Sequence, residues 1–273
     1  MIPVAFEYVR AESVDHALEQ LSEHGDEAKL LAGGHSLLPM MKLRLAVPSV
    51  LVDVGRLNDL SYIRHEGDTV KIGALTTHHL VETSELLAEY CPLIKGVAAE
   101  VGDPQVRHRG TLGGTLAHAD PASDLPAAVL ALGGTMVVAG PKGRRRIAAT
   151  DFFTGYYESA LAPDEMIVEI ELPATPGGKW SFKKFNRRAQ DWAIVAVAAV
   201  HNGTTGVGLV NMGATPLRAT AVEEAIAAGA NAKDAAAQAA QGTSPTEDLN
   251  ATVEYRAHLA RVLTERALTD LQI

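Results

Sequence analysis

Apolar and polar positions alternate from 166 to 172 (MIVEIEL), whereas 193–201 (AIVAVAAVH) is apolar almost throughout. The first pattern predicts a strand with one buried face, the second a strand covered on both. Around these two, the periodicity divides the chain. Residues 4–8 read as a short strand. A helix follows, capped by Ser13, with Val14, Ala17, Leu18 and Leu21 at helical spacing and Gly25 as its stop. Residues 27–31 form a strand that runs into Gly33-Gly34, 37–45 a short helix and 49–54 a β-branched strand. A hairpin over 62–73 turns at 66–68. A helix capped by Thr76 or Thr77 carries Leu80, Val81, Leu86 and Leu87 together, 93–101 is another helix, and 103–109 is a loop. Asp124 is the expected cap of a helix over 125–132 that stops at Gly133-Gly134.

Further on, 136–139 and 144–147 pair around a Gly-Pro-Lys-Gly turn, and a short helix begins near Asp151. PATPGG at 173–178 is the strongest linker signal in the chain. Beyond it, strands over 180–185, 193–201 and 205–212 make an antiparallel sheet. Alanine-rich helices follow over 218–228 and 232–241, then a last helix from about Asn250 with Tyr255, Leu259, Val262, Leu263 and Ala267 on one stripe.

Composition narrows the function more than the fold. The 273 residues are 47% hydrophobic, with 24 Lys and Arg against 33 Asp and Glu, a net charge of −9. That balance argues against a nucleic-acid backbone as partner. No run reaches the length of a membrane span, and the first residues lack the pattern of a secretory leader, so the expectation is a cytoplasmic protein without a transmembrane segment. The lone cysteine, Cys91, precludes an iron–sulfur cluster held by this chain alone and reads as a buried structural thiol.

Two glycine-rich stretches carry the candidate chemistry: Ala32–Ser36 (AGGHS) and Gly110–Asp124 (GTLGGTLAHADPASD). Consecutive glycines can turn several N–H groups toward one anion, and Thr111, Thr115, Asp120, Ser123 and Asp124 suit a polyhydroxyl group. The first stretch lies between a strand and a helix, where a phosphate meets a helix N-terminus. Neither is a Walker A loop or a GxGxxG fingerprint. His78 and His79 read as a solvated or cap-associated pair, and the basic run Lys142, Arg144, Arg145 and Arg146 as a solvated turn. Asp103, His108, His118 and Asp120 have metal-ligand types without a recognised spacing.

AGGHSLLPMMKLRL (32–45), RGTLGGTLAHADPASDLPA (109–127) and EYRAHLARVL (254–263) together resemble the FAD-binding medium subunits of molybdenum hydroxylases, the xanthine dehydrogenase family, nearest the carbon monoxide dehydrogenase type. The resemblance implies an α+β fold: a vanillyl-alcohol-oxidase/PCMH-type FAD-binding domain over 1–176, in subdomains of about 1–57 and 58–176, and a small C-terminal antiparallel sheet and helix domain over 177–273. It implies FAD, held at the pyrophosphate by Ala32, Gly33, Gly34, His35 and Ser36, with Leu37 also binding the cofactor; no His or Cys has a context that signals a covalent link, so the FAD is expected to be non-covalent. Thr111, Gly113, Gly114 and Thr115 close the other side, Asp124 bonds ribityl hydroxyls, Lys184 lies near the flavin and Trp192 approaches its ring. Thr115 departs from the Asn common in that family. The implied partners are a small iron–sulfur subunit and a large molybdopterin subunit in a dimer of heterotrimers, with electrons passing through FAD to an external acceptor. A self-contained FAD oxidoreductase of the same superfold and a non-catalytic anion-binding or scaffold protein remain as alternatives.

Overall fold

The computed structural model describes residues 2–273. Its first layer comprises β1 (Glu7–Arg10), α1 (Val14–His24), β2 (Ala28–Leu31), α2 (Leu37–Lys42) and β3 (Val50–Asp53). The strands are parallel in the order β1-β3-β2. The Ser13 hydroxyl accepts from the His16 N–H at 3.0 Å, and α1 buries Ala17, Leu18 and Leu21, as its spacing predicts. The first strand starts later than expected, at Glu7, where its N–H first finds a partner in the Ser49 carbonyl.

The second layer is a five-stranded sheet. A hairpin of β4 (Ile63–Glu66) and β5 (Thr69–Gly73) leads into six helices: α3 (His78–Thr83), α4 (Glu85–Tyr90), α5 (Pro92–Ala99), α6 (Pro104–Arg107), α7 (Leu112–His118) and α8 (Asp124–Leu132). Then come β6 (Thr135–Gly140), β7 (Gly143–Ala148), α9 (Ala149–Phe152), the small ribbon β8 (Phe153–Gly155) and β9 (Glu158–Ser159), and β10 (Met166–Pro173). The sheet runs β4-β5-β10-β6-β7. One face (Val137, Ala139, Met166, Val168) shares the core of the first layer, and the other (Val70, Ile72, Met136, Val138, Ile170) packs under the helices.

Two helices differ from the sequence pattern. The helix expected to carry Leu80 through Leu87 is two, because Ser84 is extended (ψ 120) and its hydroxyl accepts from the Leu87 N–H to start the second. The 103–109 loop contains α6, capped by Asp103. The basic turn is exposed, as expected, and two of its side chains are also paired: Arg145 and Arg146 each make two hydrogen bonds to a carboxylate, of Glu165 and Glu171 respectively.

The third layer is a sheet of β11 (Lys179–Asn186), β12 (Ala193–Asn202), β13 (Thr204–Val210) and β14 (Leu217–Arg218), backed by α10 (Thr220–Ala227), α11 (Ala232–Ala236) and α12 (Val253–Asp270). The apolar run of β12 is divided by strand alternation. Ala196, Ala198 and Val200 face α8, and Val195, Val197 and Ala199 face α12. On α12, Tyr255 is exposed instead of lying on the buried stripe. Arg256 is buried in its place, donating to the Ile194 carbonyl and pairing with Asp248 at 2.7 Å.

Every residue of α8 is buried, because the helix lies between the second and third sheets. Gly206 and Gly208 on β13 let it lie flush: a Cβ at either would run into the carbonyl oxygen of Ala131 or Ala127. Gly208→Ala is expected to destabilise the chain by about 1–3 kcal/mol through overpacking. Thermal denaturation checks this, with a loss of about 2–4 °C per kcal/mol. An unchanged midpoint would mean that α8 tolerates displacement.

Candidate functional site

The layers leave a cleft of about 850 Å³ between the loop after β2, the loop into α7, the first turn of α8 and the segment before β12. Its volume is typical of small-molecule sites, which span about 300–1,000 Å³. Ala32, Gly33, Gly34, His35, Ser36, Leu37, Thr111, Gly113, Gly114, Thr115, Asp124, Lys184 and Trp192 all line it. So do Ser123, which the sequence offers for a polyhydroxyl group, and His78, His118, Gln190 and Asp191, which are not among the cofactor contacts expected from the sequence.

Gly34 adopts φ 76, the left-handed region where a side chain is strained. The chain then turns so that the backbone N–H groups of Gly33, Gly34, His35, Ser36 and Leu37 have no acceptor among the described residues. Ser36 occupies the cap position of α2 without a side-chain bond to the helix. Five successive free donors beside a helix start form a cradle for an anion.

The second glycine stretch works differently from the first. The N–H of Leu112 donates to the Thr76 carbonyl (3.0 Å), that of Gly113 to the Ala74 carbonyl (2.9 Å), and that of Gly114 to the Thr111 hydroxyl (3.1 Å). These donors are satisfied within the protein and are not offered to an anion. A Cβ on Gly33 would meet the Arg109 carbonyl and Gly110, so this glycine lets the two stretches pack backbone to backbone, while one on Gly113 would crowd Ala74, so that glycine seats the second stretch against the end of β5. The side chains remain for a ligand, and Thr115 Oγ1 lies 3.2 Å from His78 Nε2.

His78 is not solvated: it is buried behind the α7 loop, with its N–H donating to the Gly110 carbonyl at 2.9 Å. Burial, helped by the charges of His35 and Arg107, pushes its pKa down to about 4, so the ring is neutral at pH 7. Its neighbour His79 turns outward, stacks on His108 with ring centres 4.0 Å apart and meets Glu82 at 2.9 Å.

Asp124 is the first residue of α8, with Ser123 in the cap position, so it is not the expected cap. Its Oδ2 accepts from Lys184 Nζ at 2.7 Å, and its Oδ1 is buried without a hydrogen-bond partner. Burial pushes the carboxyl up to about 6 even with Lys184 opposing it. Trp192 is 59% exposed at the cleft edge, and its backbone N–H donates to Asp191, whose other oxygen accepts from Arg188. Among the described residues, no group of three or more His, Cys, Asp or Glu is placed to hold a metal ion.

The His78 environment has a pH consequence. Its folded pKa lies below the usual 6.5, so its contribution to stability is intact above pH 6.5 and lost as pH falls toward 4. Denaturant titrations of the apoprotein should show wild type losing on the order of 3 kcal/mol relative to His78→Gln between pH 7 and pH 4. A pH-independent difference would place a charged ring in the cleft.

Comparison with known proteins bears on what the cleft is for. Residues 4–175 match the family model described as the FAD-binding domain in molybdopterin dehydrogenase, and residues 180–271 match the carbon monoxide dehydrogenase flavoprotein C-terminal domain. The chain is 40% identical to the carbon monoxide dehydrogenase medium chain of Hydrogenophaga pseudoflava, over 98% of this chain and 97% of that one. It is 36% identical to the 6-hydroxypseudooxynicotine dehydrogenase complex subunit alpha of Paenarthrobacter nicotinovorans, over 98% and 95%. The structure of the Hydrogenophaga pseudoflava carbon monoxide dehydrogenase lacking the Mo-pyranopterin moiety superposes with a TM-score of 0.96 at 41% identity, covering 100% of this chain and 99% of that one. The α+β layers are therefore those of an FAD-binding medium subunit with its C-terminal sheet and helices, and the chain belongs to the FAD-binding flavoprotein family of the molybdopterin dehydrogenases.

Proposed function

We propose that this chain is the FAD-carrying electron-transfer subunit of a multi-subunit molybdenum hydroxylase in the cytoplasm. In this reading it receives electrons from the clusters of a small iron–sulfur subunit, is served by a large molybdopterin subunit that oxidises the substrate, and works in a dimer of heterotrimers. Residues 1–176 form the FAD-binding part, and 177–273 the part that closes on the flavin. The observation that carries the reading is the row of five free N–H groups in a cleft whose far wall holds an unpartnered buried carboxylate oxygen. FAD joins a pyrophosphate to a hydroxylated chain, and the cleft offers a donor row for the first and an acceptor for the second. The lone cysteine supports the division of labour, since a cluster requires about four ligands from elsewhere.

Bound FAD supplies one- and two-electron redox chemistry. The tasks of this chain are to bind, orient and shield it. Gly33 to Leu37 hold the pyrophosphate through backbone N–H groups, which are neutral and so serve a chain of net charge −9 without an arginine. Thr111, Gly113 and Gly114 shape the opposite wall, Thr115 presents its hydroxyl from the His78 contact, and Asp124 accepts from the ribityl chain. Trp192 covers the flavin edge from the third layer. The two relatives above are named for carbon monoxide and for 6-hydroxypseudooxynicotine, at similar identity to this chain, so substrate choice lies with the large subunit.

The purified chain should take up FAD and show flavin absorbance, and a chain that stays colourless at saturating FAD would contradict the reading. Riboflavin, which lacks the pyrophosphate, should bind at least about 100-fold more weakly than FAD, because several charge-assisted hydrogen bonds are missing. Equal affinities would remove the cradle from the account. Trp192→Ala should leave the melting temperature within about 1 °C, as expected for an exposed position. Flavin fluorescence should rise, and fluorescence equal to wild type would place Trp192 away from the ring.

A further inference from the structure

Lys184 and Asp124 reach the cleft from different layers. Lys184 lies on β11 and Asp124 in the first turn of α8, and their side chains meet at 2.7 Å with only 7% of each exposed. The same ammonium donates to the Glu100 carbonyl at 3.0 Å, so two of its three donors are committed to protein atoms. Asp124 lines the cleft, and its Oδ1 is buried without a partner among the described residues. An ionised carboxylate this far from water costs several kcal/mol unless a counter-charge is at hand. Burial raises the carboxyl, Lys184 is the influence that opposes it, and the charge of Glu100 at the end of α5 adds to the rise. Asp191, the other carboxylate within range of the Lys184 charge, is engaged by Arg188 and the Trp192 N–H.

We infer that Lys184 is a positioning residue that acts on the cofactor through Asp124, holding the carboxylate ionised and oriented with Oδ1 free for a cofactor hydroxyl, and does not touch the flavin itself. This rests on the FAD reading above and gives Lys184, which lines the cleft, a role through its neighbour. It also assigns a function to the join between layers: the counter-charge from the third layer is what allows the second layer to present a charged acceptor.

A double-mutant cycle on the full-length chain tests this, using FAD dissociation constants at pH 7 for wild type, Lys184→Met, Asp124→Asn and the double variant. Lys184→Met should weaken FAD binding at least about tenfold, the scale of a lost hydrogen bond to a charged group. In the Asp124→Asn background the same change should cost nothing further, because the amide needs no counter-charge. Between pH 7 and pH 9 the affinity of Lys184→Met should recover as Asp124 regains its charge, while Asp124→Asn and the double variant stay flat. Lys184→Arg, which keeps the charge, should retain most of the affinity and provides the comparison if the Met variant folds poorly. Equal losses in both backgrounds, or no loss in either, would overturn the inference. A wild-type chain that takes up no FAD would overturn the reading beneath it, and this proposal with it.

Discussion

Helix α8 is the constraint on which the rest depends. It is buried along its whole length between two sheets, and its first turn opens on the cleft. Burial on this scale requires close approach on both sides, which the glycines of β13 allow on one and the apolar face of the five-stranded sheet provides on the other. Because the helix cannot shift without disturbing the core it shares with both sheets, Ser123 and Asp124 are held in place as rigidly as core residues. A carboxylate at that helix start also benefits from the positive end of the helix dipole.

The cleft combines two unlike walls. The wall from the first layer is backbone: five N–H groups that the local turn leaves without acceptors. The wall from the second layer is side chain: the Thr115 hydroxyl braced by a neutral histidine and a carboxylate braced by a lysine. The two glycine stretches look alike in sequence and act differently, since one frees its N–H groups and the other spends them on the strand end at Ala74–Thr76. The second is structural first, packed on Ala74 through Gly113, and the contact of Gly33 with Arg109 and Gly110 sets the distance between the walls.

Much of this was legible in the sequence. Alternation located the buried strands, capping residues such as Ser13 located helix starts, and the two glycine stretches pointed to one site that the structure assembles from them. What escaped depends on pairings that no local pattern encodes. The histidines at 78 and 79 look equivalent in sequence, yet packing against Gly110 buries one and leaves the other at the surface. Two residues of the exposed basic run, Arg145 and Arg146, pair with Glu165 and Glu171, which lie 20 and 25 residues later. Arg256 displaced Tyr255 from the buried stripe because the Ile194 carbonyl and Asp248 satisfy it. Ser84 divides a helix that hydrophobic spacing alone would continue.

The most direct measurement of the central claim, that one cleft built by three layers holds FAD, is a crystal structure of the FAD-loaded chain. The pyrophosphate is expected within hydrogen-bond distance of the Gly33–Leu37 N–H groups, with a ribityl hydroxyl on Asp124 Oδ1 and the flavin beside Trp192. A nucleotide bound elsewhere, or a pyrophosphate held by the N–H groups of the second glycine stretch, would contradict it.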